Sequence, residues 1–133
     1  MKETGWENLD WGALDRLREI FLSEQPPSAC YWTSSSDLAD YDFTFGRRVA
    51  WKWDAVLREL RWRGWKPLAG AVLDWGCGSG VAGRRVIEHF GPDRFQALYL
   101  HDRSALAMDF AEEASRRAFP KLEAKWADRK SVV

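Results

Sequence analysis

The sequence predicts an α/β protein in which an N-terminal helical segment precedes the first half of a doubly wound parallel sheet. Apolar residues recur at helical spacing before residue 66, strand-like and helix-like runs alternate after residue 70, and a glycine-rich stretch follows the first strand-like run. Alternating strands and helices favour a parallel sheet, because right-handed crossovers lay each new strand in the direction of the last. We therefore expect a helical segment over residues 1–66 and a partial α/β domain over residues 67–133.

The helical segment is expected to hold two helices. Asp10 is a candidate N-cap for the first, which the prolines of SEQPPSAC would end; TSSSDLADYD is expected to be a polar loop with one helical turn after Ser36. A longer helix is predicted over residues 44–63, with Gly64 at the position of a left-handed C-terminal cap. The apolar faces expected to be buried are Trp11, Leu14, Leu17, Ile20 and Phe21 in the first helix, and Val49, Trp53, Val56, Leu57 and Leu60 in the second.

Three strands and two helices are expected in the α/β part. AVLDW, FQALYLH and LEAKWA are the predicted strands, residues 81–90 and 104–118 the predicted helices, and GPDR a turn. Open sheets of this kind usually have more strands. We therefore expect either a fragment truncated after the third strand or a small protein that keeps only the nucleotide-binding half. In both cases the third strand would form an open, apolar edge.

Composition limits the function classes. A hydrophobic content of 46% with nine tryptophans excludes a disordered chain, and 20 basic residues balance 20 acidic ones. Cys30 and Cys77 are too few for a disulfide framework or a zinc site, so no metal is expected. The N-terminus lacks the pattern of a signal or transit peptide, and no stretch approaches the ~20 apolar residues of a membrane span. The sequence therefore predicts a cytoplasmic protein without membrane contact.

The stretch VLDWGCGSGVAGRRV places glycines between a predicted strand and a predicted helix. Glycine permits positive φ and lets a ligand approach backbone amides at a helix N-terminus. GSGVAG satisfies the dinucleotide pattern G-x-G-x-x-G, and Asp102 follows it, as in an NAD-dependent oxidoreductase. In another register, Asp74 precedes three alternating glycines as D-x-G-x-G-x-G. An acid at that point suits a ligand with a cationic part and would repel a pyrophosphate.

VLDWGCGSG resembles motif I of the class I methyltransferases, which bind S-adenosylmethionine on a Rossmann-like sheet. The resemblance implies that bare backbone lines the methionine and ribose moieties and that Asp74 stabilises the turn and the ammonium end. It also implies that Asp102, closing ALYLHD, holds the ribose hydroxyls; the alternative is a solvated acid at a strand end. The implied cofactor-binding residues are Asp74, Gly76, Cys77, Gly78, Ser79, Gly80, Asp102 and Arg103.

HDRSALAMDFAEEASRRAFPKLE and FGRRVAWKWDAVLREL are similar to a methyltransferase-like family associated with the small ribosomal subunit in bacteria and mitochondria. The similarity spans about residues 43–128. It implies a methyltransferase acting near ribosomal RNA, or a non-catalytic assembly factor that keeps the cofactor fold. The family's substrate-facing motif lies in later strands, so no catalytic residue is assigned. Neither His89 nor His101 is expected to be one, because methyl transfer depends on positioning more than on a strong base.

Basic residues and tryptophans share the helix over residues 44–63. Residues 43–66 hold seven basic and two acidic side chains, a balance of +5, whereas residues 1–42 hold three basic and nine acidic ones, a balance of −6. Arginine neutralises phosphates and tryptophan stacks on unpaired bases. The helix is therefore a candidate contact for ribosomal RNA through Arg47, Arg48, Trp51, Arg58 and Trp62. The alternative is a helix packed on the sheet edge, with its tryptophans in the core and its arginines in solvent.

No catalytic role is expected for four side chains of the glycine stretch. Cys77 is read as a small residue that fits the turn, and Trp75 is expected to pack beneath the sheet. Arg84 and Arg85 open the following helix, where a cation is unfavourable unless it faces an anion. Contact with RNA phosphate and exposure to solvent are the two interpretations for these arginines.

Overall fold

A computed structural model describes residues 5–23 and 31–127 and confirms the α/β class. Within those residues the order of elements is α1 (Trp11–Leu22), α2 (Ser35–Phe43), α3 (Phe45–Trp62), β1 (Gly70–Trp75), α4 (Val81–Phe90), β2 (Phe95–His101), α5 (Ala105–Ala118) and β3 (Glu123–Trp126). Short 3-10 turns precede α1 and β2. The prolines expected to end the first helix, and Cys30, lie outside the described residues.

The three strands are parallel, in the order β1-β2-β3. At the carboxyl ends of β1 and β2, Asp74 lies opposite Leu100 and Trp75 lies opposite His101. Helices α4 and α5 cover the face of the sheet that carries Leu100, because both crossovers return on the same side. The core between these helices and the sheet comprises Cys77, Ile87, Phe95, Leu98, Leu100, Ala111, Phe119, Leu122 and Ala124.

Strand β1 is an edge of the described sheet as well, in addition to the edge expected at the third strand. Both crossovers carry the chain away from β1, so no described strand pairs with its outer side. Leu73 and Trp75 are 41% and 61% exposed on the face that α4 and α5 do not cover. The expectation that Trp75 packs beneath the sheet is therefore wrong. Its ring stacks on His101 instead, with 3.9 Å between the ring centroids.

Helix α1 begins where the sequence predicts. Asp10 caps it by accepting a backbone N–H one turn along, at 3.0 Å. Only part of the predicted apolar face is buried, since Leu14 and Leu17 are covered whereas Trp11 and Phe21 are 57% and 44% exposed. Leu17 belongs to a second core that joins the helical segment to α5; its members are Leu17, Trp32, Leu38, Ala39, Ala107 and Phe110.

Helix α2 replaces the predicted polar loop. Ser34 caps it by accepting the backbone N–H of Asp37 at 3.1 Å. The Asp37 carboxylate pairs with Arg16 at 2.7 Å, and the fully buried Asp40 accepts the backbone N–H of Asp10 at 3.0 Å. The polar residues that suggested a solvated loop are thus a helix cap and acceptors in a buried network.

Helix α3 matches the predicted helix within one residue at each end. Gly64, at φ 81°, closes it: the N–H of Gly64 bonds the carbonyl of Arg61, and the N–H of Trp65 bonds that of Leu60. The predicted burial of the whole stripe is wrong, because Trp53 and Val56 are 36% and 51% exposed and Leu57 is the buried member. The helix packs against α2 and α4 rather than against the sheet.

Candidate cofactor cleft

A cleft of about 410 Å³ opens at the carboxyl ends of β1 and β2. Open parallel sheets bind ligands at this edge, and small-molecule sites span about 300–1,000 Å³. One wall comes from the glycine turn and the strand ends: Asp74, Trp75, Gly76, Cys77, Gly78, Ser79, Val81, Ala82 and Asp102. The helical segment supplies the other wall: Phe21, Tyr31, Trp32, Tyr41, Val49 and Trp53.

Most of the residues assigned to a cofactor from the sequence meet in this cleft. Those that line it are Asp74, Gly76, Cys77, Gly78, Ser79 and Asp102. Gly80 faces away, since a Cβ built on it would lie 2.8 Å from the Cβ of Ala111 in α5. Arg103 is exposed beside Asp102 and is not part of the lining.

The turn after β1 presents bare backbone to the cleft. Gly76 and Gly78 have backbone φ angles of 69° and 53°, which residues other than glycine rarely adopt. A Cβ built at either position would meet no heavy atom within 4 Å, so the space beside the turn is open. A ligand can therefore lie directly against these peptides.

Asp102 ties the turn to the end of β2. Its Oδ2 accepts the backbone N–H of Gly78 at 2.9 Å, and its Oδ1 accepts that of Ser104 at 2.9 Å. Each carboxylate oxygen retains another lone pair, so two further donors such as the hydroxyls of a diol can bind. Asp102 is thus a part of the cleft with acceptor capacity to spare, not merely a solvated acid at a strand end.

Asp74 connects β1 to the first turn of α4. Its Oδ2 accepts the backbone N–H of Gly83 at 3.0 Å, which supplies the N-terminal capping acceptor that Gly80 lacks. Burial raises the pKa of Asp74, opposed by the Gly83 hydrogen bond and by Arg84, while the negative charge of Asp102 adds to the rise. Two carboxylates and no basic side chain stand among the described residues of the lining, so the cleft favours a cationic ligand group.

The arginines that open α4 have carboxylate partners. Arg84 donates to the carbonyl of Ser79 at 2.5 Å and pairs with Asp42 of α2 at 2.6 Å. Arg85 pairs with Asp54 of α3 at 2.8 Å. These contacts replace both interpretations drawn from the sequence, because each guanidinium faces an anion of the protein itself.

The aromatic wall of the cleft escaped the sequence analysis. Tyr31, Trp32 and Tyr41 lie far from the glycine stretch in the chain and reach it only through the fold. The density of aromatic residues between 31 and 45 was the available signal. Trp32 Nε1 and Ser79 Oγ are buried without a hydrogen-bond partner in the described part of the chain.

The side chains of Cys77 and the two histidines make contacts within the protein. Burial raises the pKa of the Cys77 thiol to about 12, with further contributions from Asp74 and Asp102, so the thiol stays protonated. His101 Nδ1 lies 3.1 Å from the carbonyl of Ala127, and His89 Nε2 lies 3.2 Å from the Asp54 carboxylate. Neither histidine lines the cleft.

Over residues 5–23 and 31–127, no cluster of side chains suits a metal ion, and no helix has the length and apolarity to cross a bilayer.

The residues assigned to RNA from the sequence are all exposed along α3: Arg47, Arg48, Trp51, Arg58 and Trp62. Trp51 and Trp62 are 66% and 82% exposed, so the alternative that places these tryptophans in the core is wrong. Arg47 lies over the ring of Phe43, 4.1 Å from its centroid.

No protein-family model matches this chain, and a comparison with curated protein sequences likewise finds no match.

Proposed function

We propose that this chain is an S-adenosylmethionine-dependent methyltransferase-like protein that acts with ribosomal RNA or in assembly of the small ribosomal subunit. One observation carries the proposal: the acid-first glycine turn and Asp102 line a single cleft at the carboxyl edge of the sheet. This is the arrangement that the resemblance to class I methyltransferases implies. A non-catalytic assembly factor that retains the cofactor cleft is the closest alternative.

The capping of α4 favours this cofactor over a dinucleotide. A dinucleotide site leaves the first amides of the helix free to bind a pyrophosphate. Here the Asp74 carboxylate already accepts the Gly83 N–H at 3.0 Å and places a negative charge at the helix N-terminus. A pyrophosphate would meet an acceptor already in place and a negative charge, whereas the ammonium and sulfonium groups of S-adenosylmethionine would be attracted.

The described residues would hold the cofactor by three kinds of contact. Gly76 and Gly78 offer peptide backbone without side chains, and Asp102 offers the acceptor oxygens that a ribose diol requires. Tyr31, Trp32 and Tyr41 offer aromatic surface against which a ligand ring can pack. The cofactor supplies an electrophilic methyl group on sulfur, and the protein's part is to position it and exclude water.

The exposed face of α3 supports the association with RNA. Arg47, Arg48 and Arg58 carry positive charge on the same helix as two exposed indoles, Trp51 and Trp62. None of the three arginines has a carboxylate partner in the described part of the chain. Cations that neutralise phosphates beside rings that stack on bases are typical of single-stranded RNA contacts.

Calorimetric titration tests the cofactor. We expect the protein to bind S-adenosylmethionine or S-adenosylhomocysteine in preference to NAD. Asp102→Asn keeps one acceptor oxygen but loses the charge and should weaken binding by ~1–3 kcal/mol. Asp93→Asn, at an exposed acid in the turn before β2, is the matched control and should bind as the wild type does. Tight binding of NAD with no response to S-adenosylhomocysteine would overturn the proposal.

A further inference from the structure

A second cleft of about 500 Å³ lies on the helical segment. It is formed by α1, the turn before it and the junction of α2 with α3, and it shares no residue with the cofactor cleft. Both clefts have aromatic residues, but the charged side chains of this one are mainly basic whereas those of the cofactor cleft are acidic. The side chains that carry the inference are Trp6, Trp11, Trp51, Arg18, Arg47 and Arg48.

Three indoles surround this cleft and remain in water. Trp6, Trp11 and Trp51 are 57%, 57% and 66% exposed, which leaves a large aromatic area without a protein partner in the described residues. Trp6 is held in place by edge contact with Phe43, whose ring centroid lies 5.1 Å away. The three rings come from separate elements and converge on one concavity. Such a concavity suits a planar ligand that enters it and stacks.

Positive charge dominates the same cleft. Arg18, Arg47 and Arg48 line it, against one acid, Asp15. None of the three arginines forms an ion pair with a carboxylate over residues 5–23 and 31–127. Phe43 also supports Arg47, whose guanidinium carbon lies 4.1 Å from its ring centroid. The cleft therefore combines stacking surfaces with cations that lack a protein counterion.

We propose that this cleft binds an unpaired nucleotide of single-stranded RNA, with the base against the indoles and the adjoining phosphates against the arginines. The inference rests on the proposed association with RNA and gives it a location that the sequence did not reveal, because Trp6, Trp11 and Arg18 come from the acidic first third of the chain. An anionic membrane would satisfy the arginines but cannot enter a concave site. An acidic peptide would satisfy the arginines but offers no ring for the indoles.

Fluorescence anisotropy of a labelled oligouridylate of about ten nucleotides tests the site in the full chain. Trp11→Ala and Trp51→Ala should each weaken RNA affinity about 5- to 150-fold, the range for loss of one stacked base. Arg47→Ala with Arg48→Ala should also lower the steepness of the log–log salt dependence, by about 0.7 for each phosphate released. Arg61→Ala on the same helix and Trp126→Ala in β3 alter exposed side chains outside the cleft and should leave the affinity near that of the wild type.

Three results would overturn the inference. The first is equal loss in the cleft variants and in Trp62→Ala and Arg58→Ala, which alter the α3 face outside the cleft, because that result would assign binding to this face in general. The second is no binding of the oligonucleotide by the wild type. The third is better binding to phosphatidylserine vesicles or to oligoglutamate than to RNA. Melting curves identify any variant that fails to fold, and S-adenosylhomocysteine titration of the same proteins reports separately on the cofactor cleft.

Discussion

The carboxylate of Asp74 accepts the backbone N–H of Gly83 at 3.0 Å, so that a side chain of β1 caps α4. Gly80, which precedes the helix, has no side chain to perform this role. The acid of the motif therefore has a structural role whether or not a ligand is bound. Removing it should affect the stability of the protein as well as any binding of a cofactor.

Asp74→Ala should lower the free energy of unfolding by ~1–3 kcal/mol, because it leaves the buried N–H of Gly83 without an acceptor. Asp74→Asn is the matched control, because its amide oxygen still accepts the hydrogen bond. The neutral amide also avoids the cost of burying a charge, which is what raises the pKa of Asp74. Urea unfolding of the three proteins measures the difference. Equal stability of Asp74→Ala and wild type would show that the cap contributes nothing.

The ion pair between α3 and α4 should make stability depend on pH. Burial alone would raise the pKa of Asp54, but hydrogen bonds and positive charge from Arg85 and His89 outweigh it and lower that pKa. A carboxyl whose pKa is lower in the folded state adds stability above its unfolded pKa, and that contribution is lost as the pH falls through the folded pKa. Asp54→Asn should therefore be less stable than wild type at neutral pH.

The gap between Asp54→Asn and wild type should close as the pH falls below about 4, the ordinary range of an Asp carboxyl. Unfolding in urea at neutral and acidic pH measures it. Asp93→Asn serves as the control, since Asp93 has no ion pair in the described residues. A gap that stays constant with pH would contradict the assignment of this ion pair.

Gly83 is required by close packing, so Gly83→Ala should be destabilising by ~1–3 kcal/mol although alanine favours helices. Its Cβ would lie 3.0 Å from Asp74 Oδ2 and 3.0 Å from Leu98 Cδ1, and Leu98 is fully buried. Gly12→Ala in α1 is the contrast, because the one atom near its Cβ is 3.4 Å away. That change should stabilise by ~0.4–1 kcal/mol. Thermal unfolding distinguishes the two, and equal effects would contradict the packing at Gly83.

The Cys77 thiol should be unreactive in the folded protein. Burial raises its pKa to about 12, so at about pH 8 roughly one molecule in ten thousand carries the thiolate. Cys30→Ser leaves Cys77 as the one thiol of the chain. This variant should react with Ellman's reagent at a measurable rate in urea and far more slowly in its absence. Rapid reaction without urea would show that the turn opens.

The sequence predicted the strands and helices after residue 70 because apolar residues recur in each at strand or helix spacing and turn residues separate them. It missed α2, whose Asp37 and Asp40 look like loop residues until Arg16 and the Asp10 backbone are placed beside them. Periodicity identified the apolar stripe of α3 but not what covers it, and so Trp53 was expected to be buried.

The sequence likewise predicted one wall of the candidate site and missed the other. Spacing alone identified the glycine turn and the acids that belong to it, because those residues are neighbours in the chain or end adjacent strands. Tyr31, Trp32 and Tyr41 enter the cleft through packing between distant segments. No local pattern encodes that packing, so the second wall required the structure.

The two bonds of Arg84 have a consequence for the dynamics of the turn. Three glycines with positive φ would by themselves make the turn after β1 flexible. Arg84, however, links the Ser79 carbonyl in this turn to Asp42 near the C-terminal end of α2. Neither Arg84 nor Asp42 lines the cleft. Asp42, an acid of another helix, therefore helps to hold the backbone that would contact a ligand, although Asp42 itself lies outside the cleft. A substitution at Asp42 would make the turn more flexible and leave the lining residues of the cleft unchanged.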